Sequence, residues 1–529
     1  MFGILYGEQN FTIPSHMNYG KLILDRLAER EDAIALIDGY SGEELSFHQM
    51  AQMIVNLATA LMRNGIKPGE VVGICSENRM EFLVTALATW CAGGTVTFHN
   101  SAYNKNEMVH TMKISKPKYM FVSPQTYKQF YQNMVELNIV DKFFIFGNSD
   151  SPNLTSYYDF MKIHVDVKTF KSHYDVNGLT QTALILYSSG TTGLPKGVKI
   201  THLNLITSGN QSPVISRGLV CLSVAPFSNT VGIILTLDEL IHHRTVVYLA
   251  KYKEDVFLQC IQKYKVGLLL VVPPLIVGFA KSSIIKKYDV SSVEYMYSGG
   301  APLDLGLMKQ VRTIFPNLKH ILQGYGMTES TGAITEETDN FNKQGSVGKI
   351  ALGNIVKIVD VDSRKVLGPN QEGEICIKGP VLFAGYIGKD LKEDLDDEEF
   401  YKTGDIGYYD EEGYFYIVDR IKELIKYKAG QVAPSELEAI LIQHPAVKDV
   451  GVVGIPDSIA GELPTAFVVK RPEVQVTDTE LINYVAPKVS SWKQLRGGVH
   501  FVAEIPKTAS GKILRRVLRD SFKKPMSKL

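Results

Sequence analysis

Residues 71–98 read VVGICSENRMEFLVTALATWCAGGTVTF, and their rhythm sets the architecture expected for the chain. Residues 71–75 are a short apolar run of strand length. Residues 81–90 have helical spacing. Gly93 and Gly94 break that helix, and residues 95–98 return as a strand. The same alternation recurs at 119–122 (strand), 126–137 (helix) and 143–146 (strand). Strands alternating with helices imply βαβ units, hence a mostly parallel, doubly wound sheet covered by helices on both faces.

The character changes near residue 350. Residues 355–360, 374–378 and 414–418 are short strands between turn residues, and 410–413 (DEEG) reads as a hairpin loop, so a small β-barrel-like part is expected here. The acidic run 390–399, DLKEDLDDEE, reads as a solvated loop. A small α+β unit begins near Ile421. Pro434 and Ser435 open a helix with Glu436 and Glu438 in its first turn, and Pro445 ends it. Thr477 and Glu480 have the spacing of a reciprocal capping box. The expected division is a large α/β domain over 1–420 and a small, mobile α+β domain over 421–529, with 420–426 as the hinge.

Composition narrows the function classes. In 529 residues, 45% hydrophobic and 21% charged, a sizeable core can be buried, which excludes a disordered or fibrous chain. Lys plus Arg and Asp plus Glu are each 56, so the net charge is zero and no nucleic-acid partner is expected. Cys75, Cys91, Cys221, Cys260 and Cys376 form no close pair, which fits a reducing compartment rather than a disulfide scaffold. No secretory signal is expected. The most apolar stretch, 266–280, carries Pro273 and Pro274 and is shorter than the roughly 20 residues a membrane span needs, so no span is expected.

Residues 187–198, YSSGTTGLPKGV, follow a strand-like run at 182–186. Glycines allow a backbone to approach a phosphate, consecutive amides form an anion nest, and Ser188, Ser189, Thr191, Thr192 and Lys196 add hydroxyls and a cation. This composition suits a nucleotide polyphosphate. The spacing is not that of a Walker A loop, and Pro195 precedes the lysine.

At these residues the chain resembles the adenylate-forming enzymes, the superfamily of acyl-CoA synthetases, peptide-synthetase adenylation domains and beetle luciferases. The likeness extends, in order, through SGGAPL (298–303), QGYGMTE (323–329), YKTGD (401–405), YIVDRIKELIKYK (416–428) and PKTASGK (506–512). Within the superfamily the chain looks most like luciferase-like and coumarate–CoA ligase-like acyl-CoA synthetases. RGGVHFV (496–502) and the terminal SKL strengthen that likeness.

The resemblance implies activation of a carboxylic acid by ATP, with Mg²⁺, and transfer of the acyl group to coenzyme A. It implies that Ser188, Ser189, Gly190, Thr191, Thr192, Gly193 and Lys196 hold the β- and γ-phosphates. Gly299, Gly300 and Ala301 would flank the adenylate with backbone. Gln323 opens the second nucleotide segment; Gly324 and Gly326 would let the nucleotide sit against the chain, and Tyr325 would offer its face to adenine. Thr328 would donate to the α-phosphate, and Glu329 would be the Mg²⁺ ligand, a hard oxygen for a hard cation. Asp405 can accept from both ribose hydroxyls. Arg420 would assist there or pair with Asp405. Lys512 would bridge carboxylate and α-phosphate during adenylation, and Lys426 would face the site during thioester formation after the small domain rotates.

Two departures bear on substrate. Luciferases carry His-His-Gly-Phe after Pro-Phe; here Pro226-Phe227 is followed by Ser228, Asn229, Thr230 and Val231. The wall of the acyl pocket (Phe227 to Val231) therefore lacks imidazole, with Phe227 and Val231 expected to contact the acyl chain. Relatives usually read Lys-Gly-aromatic-Gln where this chain has Lys428-Ala429-Gly430-Gln431, which loosens the tunnel expected for pantetheine. The expectation is a ligase for a medium- or long-chain fatty acid. The alternatives are an aryl (coumarate-like) CoA ligase, a luciferase-type monooxygenase, and a non-catalytic binding relative. Ser527, Lys528 and Leu529 form a tripeptide read by the peroxisomal import receptor, so the peroxisome is the expected location.

Overall fold

The structure is a computed structural model that describes residues 3–9, 17–30, 32–148, 151–171, 176–188, 195–209, 215, 218–300, 303, 305–428, 430–472, 474–507 and 513–523. Ser189, Gly190, Thr191, Thr192, Gly193, Ala301, Ala429, Lys512, Ser527, Lys528 and Leu529 lie outside the described residues.

The opening stretch folds as strand Val71–Cys75, helix Met80–Cys91 and strand Thr95–His99. All twelve residues of that helix are buried. A helix that is apolar all round belongs in a core rather than on a surface. Its two threonines bond back to carbonyls four residues earlier, and the Trp90 indole donates to the Ala183 carbonyl at 2.8 Å. Helix Pro124–Glu136 begins two residues earlier than expected, because Ser123 caps it and Pro124 sits where no amide partner is needed.

Three sheets build the large N-terminal domain. The first runs in the order Lys196–Thr201, Thr182–Ser188, Thr95–His99, Val71–Cys75, Tyr119–Val122, Lys142–Ile145, Thr155–Ser156 and is parallel except at the Lys196–Thr201 edge. The second has nine strands. Its parallel middle runs His320–Gly326, Tyr295–Gly299, Leu268–Val271, Cys221–Ser223, Val246–Tyr248, Ile34–Asp38. The chain leaves Cys221–Ser223 toward Val246–Tyr248 on one side and Leu268–Val271 on the other. Ligands of open α/β sheets bind beyond the carboxyl ends of strands at such a switch point, and Pro226 to Val231 follow that strand directly.

The third sheet is antiparallel: Ile4–Tyr6, Ile355–Val359, Gly373–Lys378, Tyr401–Tyr409, Phe415–Arg420. Its first strand comes from the other end of the domain, a pairing with no local signal. The acidic run 390–399 is not simply solvated. Lys357, 5% exposed, pairs with Asp396 at 2.7 Å and with Glu398, while Lys389 holds Asp394 and Lys378 holds Glu399. A buried lysine needs counter-ions, and the run supplies them.

The smaller C-terminal domain has one sheet, Gly430–Val432, Ile425–Tyr427, Gly461–Lys470, Val447–Asp457, with Val499–Phe501 added parallel to Gly461–Lys470. Helix Pro434–Leu441 ends four residues before Pro445. Half of the expected capping box forms: Thr477 accepts from the Glu480 amide at 3.2 Å, but the Glu480 carboxylate turns toward His444, 3.9 Å away. Among the described residues no helix is long and apolar enough to cross a membrane.

One buried carboxyl gives the large domain a pH dependence. Glu336, on strand Ala333–Glu336, is 8% exposed; burial raises its pKa to about 8, with the Asp238 carboxylate adding to the rise. A carboxyl that binds its proton more tightly folded than unfolded stabilises below its ordinary range near 4.5 and loses that contribution as pH rises through 8. Glu336→Gln should therefore gain stability relative to wild type as pH rises from about 6 to about 8.5, at about 1.4 kcal/mol per unit in the lower part of that window and levelling off above pH 8. Thermal midpoints of both proteins at the two pH values check this; parallel shifts would mean that Glu336 is ionised throughout.

Candidate active site

The ends of two parallel strands form the floor. Ser298 lies beside Gln323 and Gly299 beside Gly324 in register. Gly300 turns the chain away with φ +85°, a left-handed conformation open to glycine. Gly324 and Gly326 have a reason other than nucleotide approach. A Cβ on Gly324 would lie 2.1 Å from the Tyr297 hydroxyl, and one on Gly326 would lie 2.2 Å from the Gly332 carbonyl. The protein's own packing requires both glycines. Gln323 is likewise spent within the fold: it is buried, its amide N–H donates to Glu337 at 3.0 Å, and its side chain donates to the Ser346 carbonyl at 3.1 Å. Gln323, expected among the nucleotide-binding residues, makes these side-chain and backbone bonds within the fold.

Three expected residues converge at Asp405. The Tyr325 hydroxyl donates to Oδ2 at 2.8 Å, and Arg420 Nε pairs with Oδ1 at 3.1 Å. Asp405 and Arg420 face each other across the antiparallel pair Tyr401–Tyr409 and Phe415–Arg420. Asp405 is 5% exposed, so this is not a solvent-side strand-end pair. Burial raises the Tyr325 pKa well above the usual tyrosine value, and the neighbouring Asp405 carboxylate raises it further, so the phenol stays a donor. Both oxygens of Asp405 are engaged, and a ribose would share them.

A second cluster forms at the other end. Thr328 and Glu329 sit on the short turn Thr328–Ser330, followed by Thr331 at φ +60°. Glu329 is 5% exposed, not a surface carboxylate. The Tyr386 hydroxyl donates to its Oε1 at 2.7 Å. Lys196, which faces Ser188 in the strand pair, holds its Nζ 4.9 Å from the centre of the Tyr386 ring. Residues 384–387 form a rung beside strand Lys196–Thr201: Ala384 N–H donates to the Lys199 carbonyl, Lys199 N–H to that of Gly385, and Ile387 N–H to that of Gly197. That pairing places Tyr386. Its sequence context carries little signal, since the chain has 26 tyrosines.

The segment expected to form the pocket wall joins this cluster. Thr230 Oγ1 donates to Thr328 Oγ1 at 3.0 Å. Asn229 is the N-cap of helix Thr230–Ile241 without a side-chain cap hydrogen bond, and Val231 in the first turn is 37% exposed. Ser228 is half-buried. Phe227 corrects the expectation made for it. It is fully buried, its ring packs against Phe82 and Tyr248 with centroids 5.9 and 5.6 Å away, and its amide donates to Asn78 Oδ1 at 2.7 Å. It belongs to the core rather than to an exposed wall.

Of the two lysines, Lys512 lies outside the described residues. Lys426 is exposed on strand Ile425–Tyr427, and its backbone amide donates to Glu462 at 2.9 Å. Lys507 and Ile513 form a β-bridge on either side of the segment carrying Lys512. Arg515 pairs with Glu423 of the expected hinge at 3.1 Å and with Glu438 of helix Pro434–Leu441 at 2.9 Å.

A family model described as AMP-binding enzyme matches residues 24–387, and one described as AMP-binding enzyme C-terminal domain matches residues 436–512. The chain belongs to the AMP-binding enzymes. It is 40% identical over 510 residues to a luciferin 4-monooxygenase of Nipponoluciola cruciata, covering 94% of this chain and 93% of that one. It is 36% identical over 523 residues to a probable 4-coumarate–CoA ligase of Dictyostelium discoideum, covering 94% of each. Among solved structures, ATP-bound MatB from Rhodopseudomonas palustris matches with TM-score 0.82 and 25% identity over 96% of this chain and 99% of that one. The protein is thus an adenylate-forming enzyme by family, and its large and small domains have the architecture of that group.

Proposed function

We propose that the protein is an ATP-dependent acid–thiol ligase that activates a medium- or long-chain carboxylic acid and passes it to coenzyme A. The supporting observation is the wall at the switch point. Ser228, Asn229, Thr230 and Val231 put no large side chain there, Phe227 is withdrawn into the core, and Thr230 is bonded to Thr328. That leaves room for a flexible chain whose carboxylate ends beside the nucleotide strands.

In the first half-reaction a carboxylate oxygen bonds to the α-phosphorus, and the bond to the pyrophosphate oxygen breaks with its electron pair. Thr328 donates to the α-phosphate, Lys196 and the 188–193 segment hold the β- and γ-phosphates, and Asp405 with Arg420 holds the ribose. Glu329, a buried hard oxygen ligand, fits a magnesium ion, which when bound neutralises phosphate charge. Preorganised cations and donors of this kind are usually the largest contribution to such a step. In the second half-reaction the thiol sulfur bonds to the acyl carbon, its proton is lost, and AMP departs. The domain from 421 onward rotates between the halves, exchanging the Lys512 face for the Lys426 face.

The test is kcat/KM for thioester formation along saturated acids, with coumarate-like acids and luciferin in parallel and light recorded. Each buried methylene contributes about 0.8 kcal/mol, so kcat/KM should rise about fourfold per carbon until the pocket ends. A flat series with coumarate-like acids best would replace this reading with an aryl ligase. The 40% identity to a luciferin 4-monooxygenase favours a second reading, oxygenation of an adenylate with light emission, and strong luminescence would establish it. The proposed location is the peroxisome. Deleting Ser527 to Leu529 from an N-terminally tagged chain should leave activity intact and disperse the signal; an unchanged punctate signal would point to another address.

A further inference from the structure

Tyr386 touches both charged ends of the phosphate cluster, and nothing in the expected chemistry uses it. It is 9% exposed. Its hydroxyl donates to Glu329 Oε1 at 2.7 Å and lies 3.3 Å from the Tyr401 hydroxyl. Its ring presents a face to the Lys196 ammonium. A phenol donates one proton, and Glu329 takes it. That fixes the carboxylate plane and one oxygen, and among the described residues the other oxygen, Oε2, has no hydrogen-bond partner. The ring face attracts the lysine through its quadrupole and restrains its flexible four-carbon side chain.

We propose that Tyr386 is a positioning residue for the polyphosphate end of the site: its hydroxyl aligns Glu329 for a divalent cation, and its ring seats Lys196. Tyr401 backs this arrangement from strand Tyr401–Tyr409, which also carries Asp405, so one strand braces both ends of the nucleotide site. The inference rests on the reading of Glu329 as a metal ligand, and the experiment separates the two.

The measurement is ATP binding by calorimetry without carboxylic acid, with and without Mg²⁺, alongside AMP binding. Wild type should bind ATP more tightly with the cation. Partners that orient a metal ligand typically contribute 10–100-fold in metal affinity. Tyr386→Phe should therefore lose about tenfold of the Mg²⁺ enhancement while AMP affinity and metal-free ATP affinity stay within about twofold. Tyr386→Leu, which also removes the ring, should lose a further two- to fivefold or so in metal-free ATP affinity. Glu329→Gln should remove the enhancement, and adding Tyr386→Phe to it should do no more, because coupled groups are non-additive. An unchanged Mg²⁺ enhancement in Tyr386→Phe would overturn the proposal, as would an equal fall in AMP affinity, which would mark a packing role alone. If Glu329→Gln keeps the full enhancement, the metal assignment of Glu329 fails first and the role of Tyr386 falls with it.

Discussion

Lys512→Ala should slow acid-dependent pyrophosphate release by about 10²–10³-fold, the scale for one preorganised group acting on charge developed in the transition state. The reason is electrostatic. In the proposed reaction, attack on the α-phosphorus brings a carboxylate against a polyphosphate, and Lys196 is assigned to the far phosphates, so a separate cation is needed at the reacting end. The anchors on either side of Lys512 are structural: the Lys507–Ile513 bridge and the pairs of Arg515 with Glu423 and Glu438. Supplied acyl-adenylate should still be converted to thioester by the variant, and Lys426→Ala should show the reverse pattern. Single-turnover assays of each half-reaction read both. Near-normal pyrophosphate release in Lys512→Ala would remove this lysine from the mechanism.

Asp405→Ala should weaken ATP binding by about 10²-fold and also lower stability. Hydrogen bonds to charged groups are worth about 1.5–3 kcal/mol each, and this carboxylate accepts from Tyr325, pairs with Arg420 and would meet the ribose. Removing it strands a buried phenol. Arg420 is 35% exposed, so water compensates part of its loss and the stability cost should be about 1–2 kcal/mol rather than that of a fully buried pair. Calorimetry with ATP and a urea titration separate the two effects. Wild-type affinity for ATP in a destabilised variant would make the Tyr325–Asp405–Arg420 cluster a structural brace only.

Local chemistry was legible wherever neighbours along the chain decide it. The alternation through 71–98 specifies parallel strands with crossover helices because burial on both faces demands continuous apolar runs. The short strands after residue 350 and the small α+β unit after 421 were legible for the same reason. The ordered motifs from 188 to 512 made the family legible because each couples glycine turns to a few polar side chains. Boundaries slipped where a cap acts, as at Ser123-Pro124, whose start signal precedes the first apolar residue of the helix.

What sequence alone left open depends on residues that are distant along the chain and adjacent in space. Ile4–Tyr6 pairs with Ile355–Val359, and no local pattern names that partner. Gly324 looks like a glycine made for a ligand, yet the Tyr297 hydroxyl from the neighbouring strand occupies the space a side chain would need. Phe227 looks like pocket wall, yet Phe82 and Tyr248 draw it into the core, because burying an aromatic ring against two others outweighs exposing it at a mouth. Tyr386 meets Glu329 and Lys196 only because residues 384–387 pair with the Lys196–Thr201 edge. Amino-acid order determined which groups the protein owns and which local shapes they take. Which of them share one carboxylate was decided by tertiary pairing, since hydrogen bonds and ring contacts act over a few ångströms of space, whatever the separation along the chain.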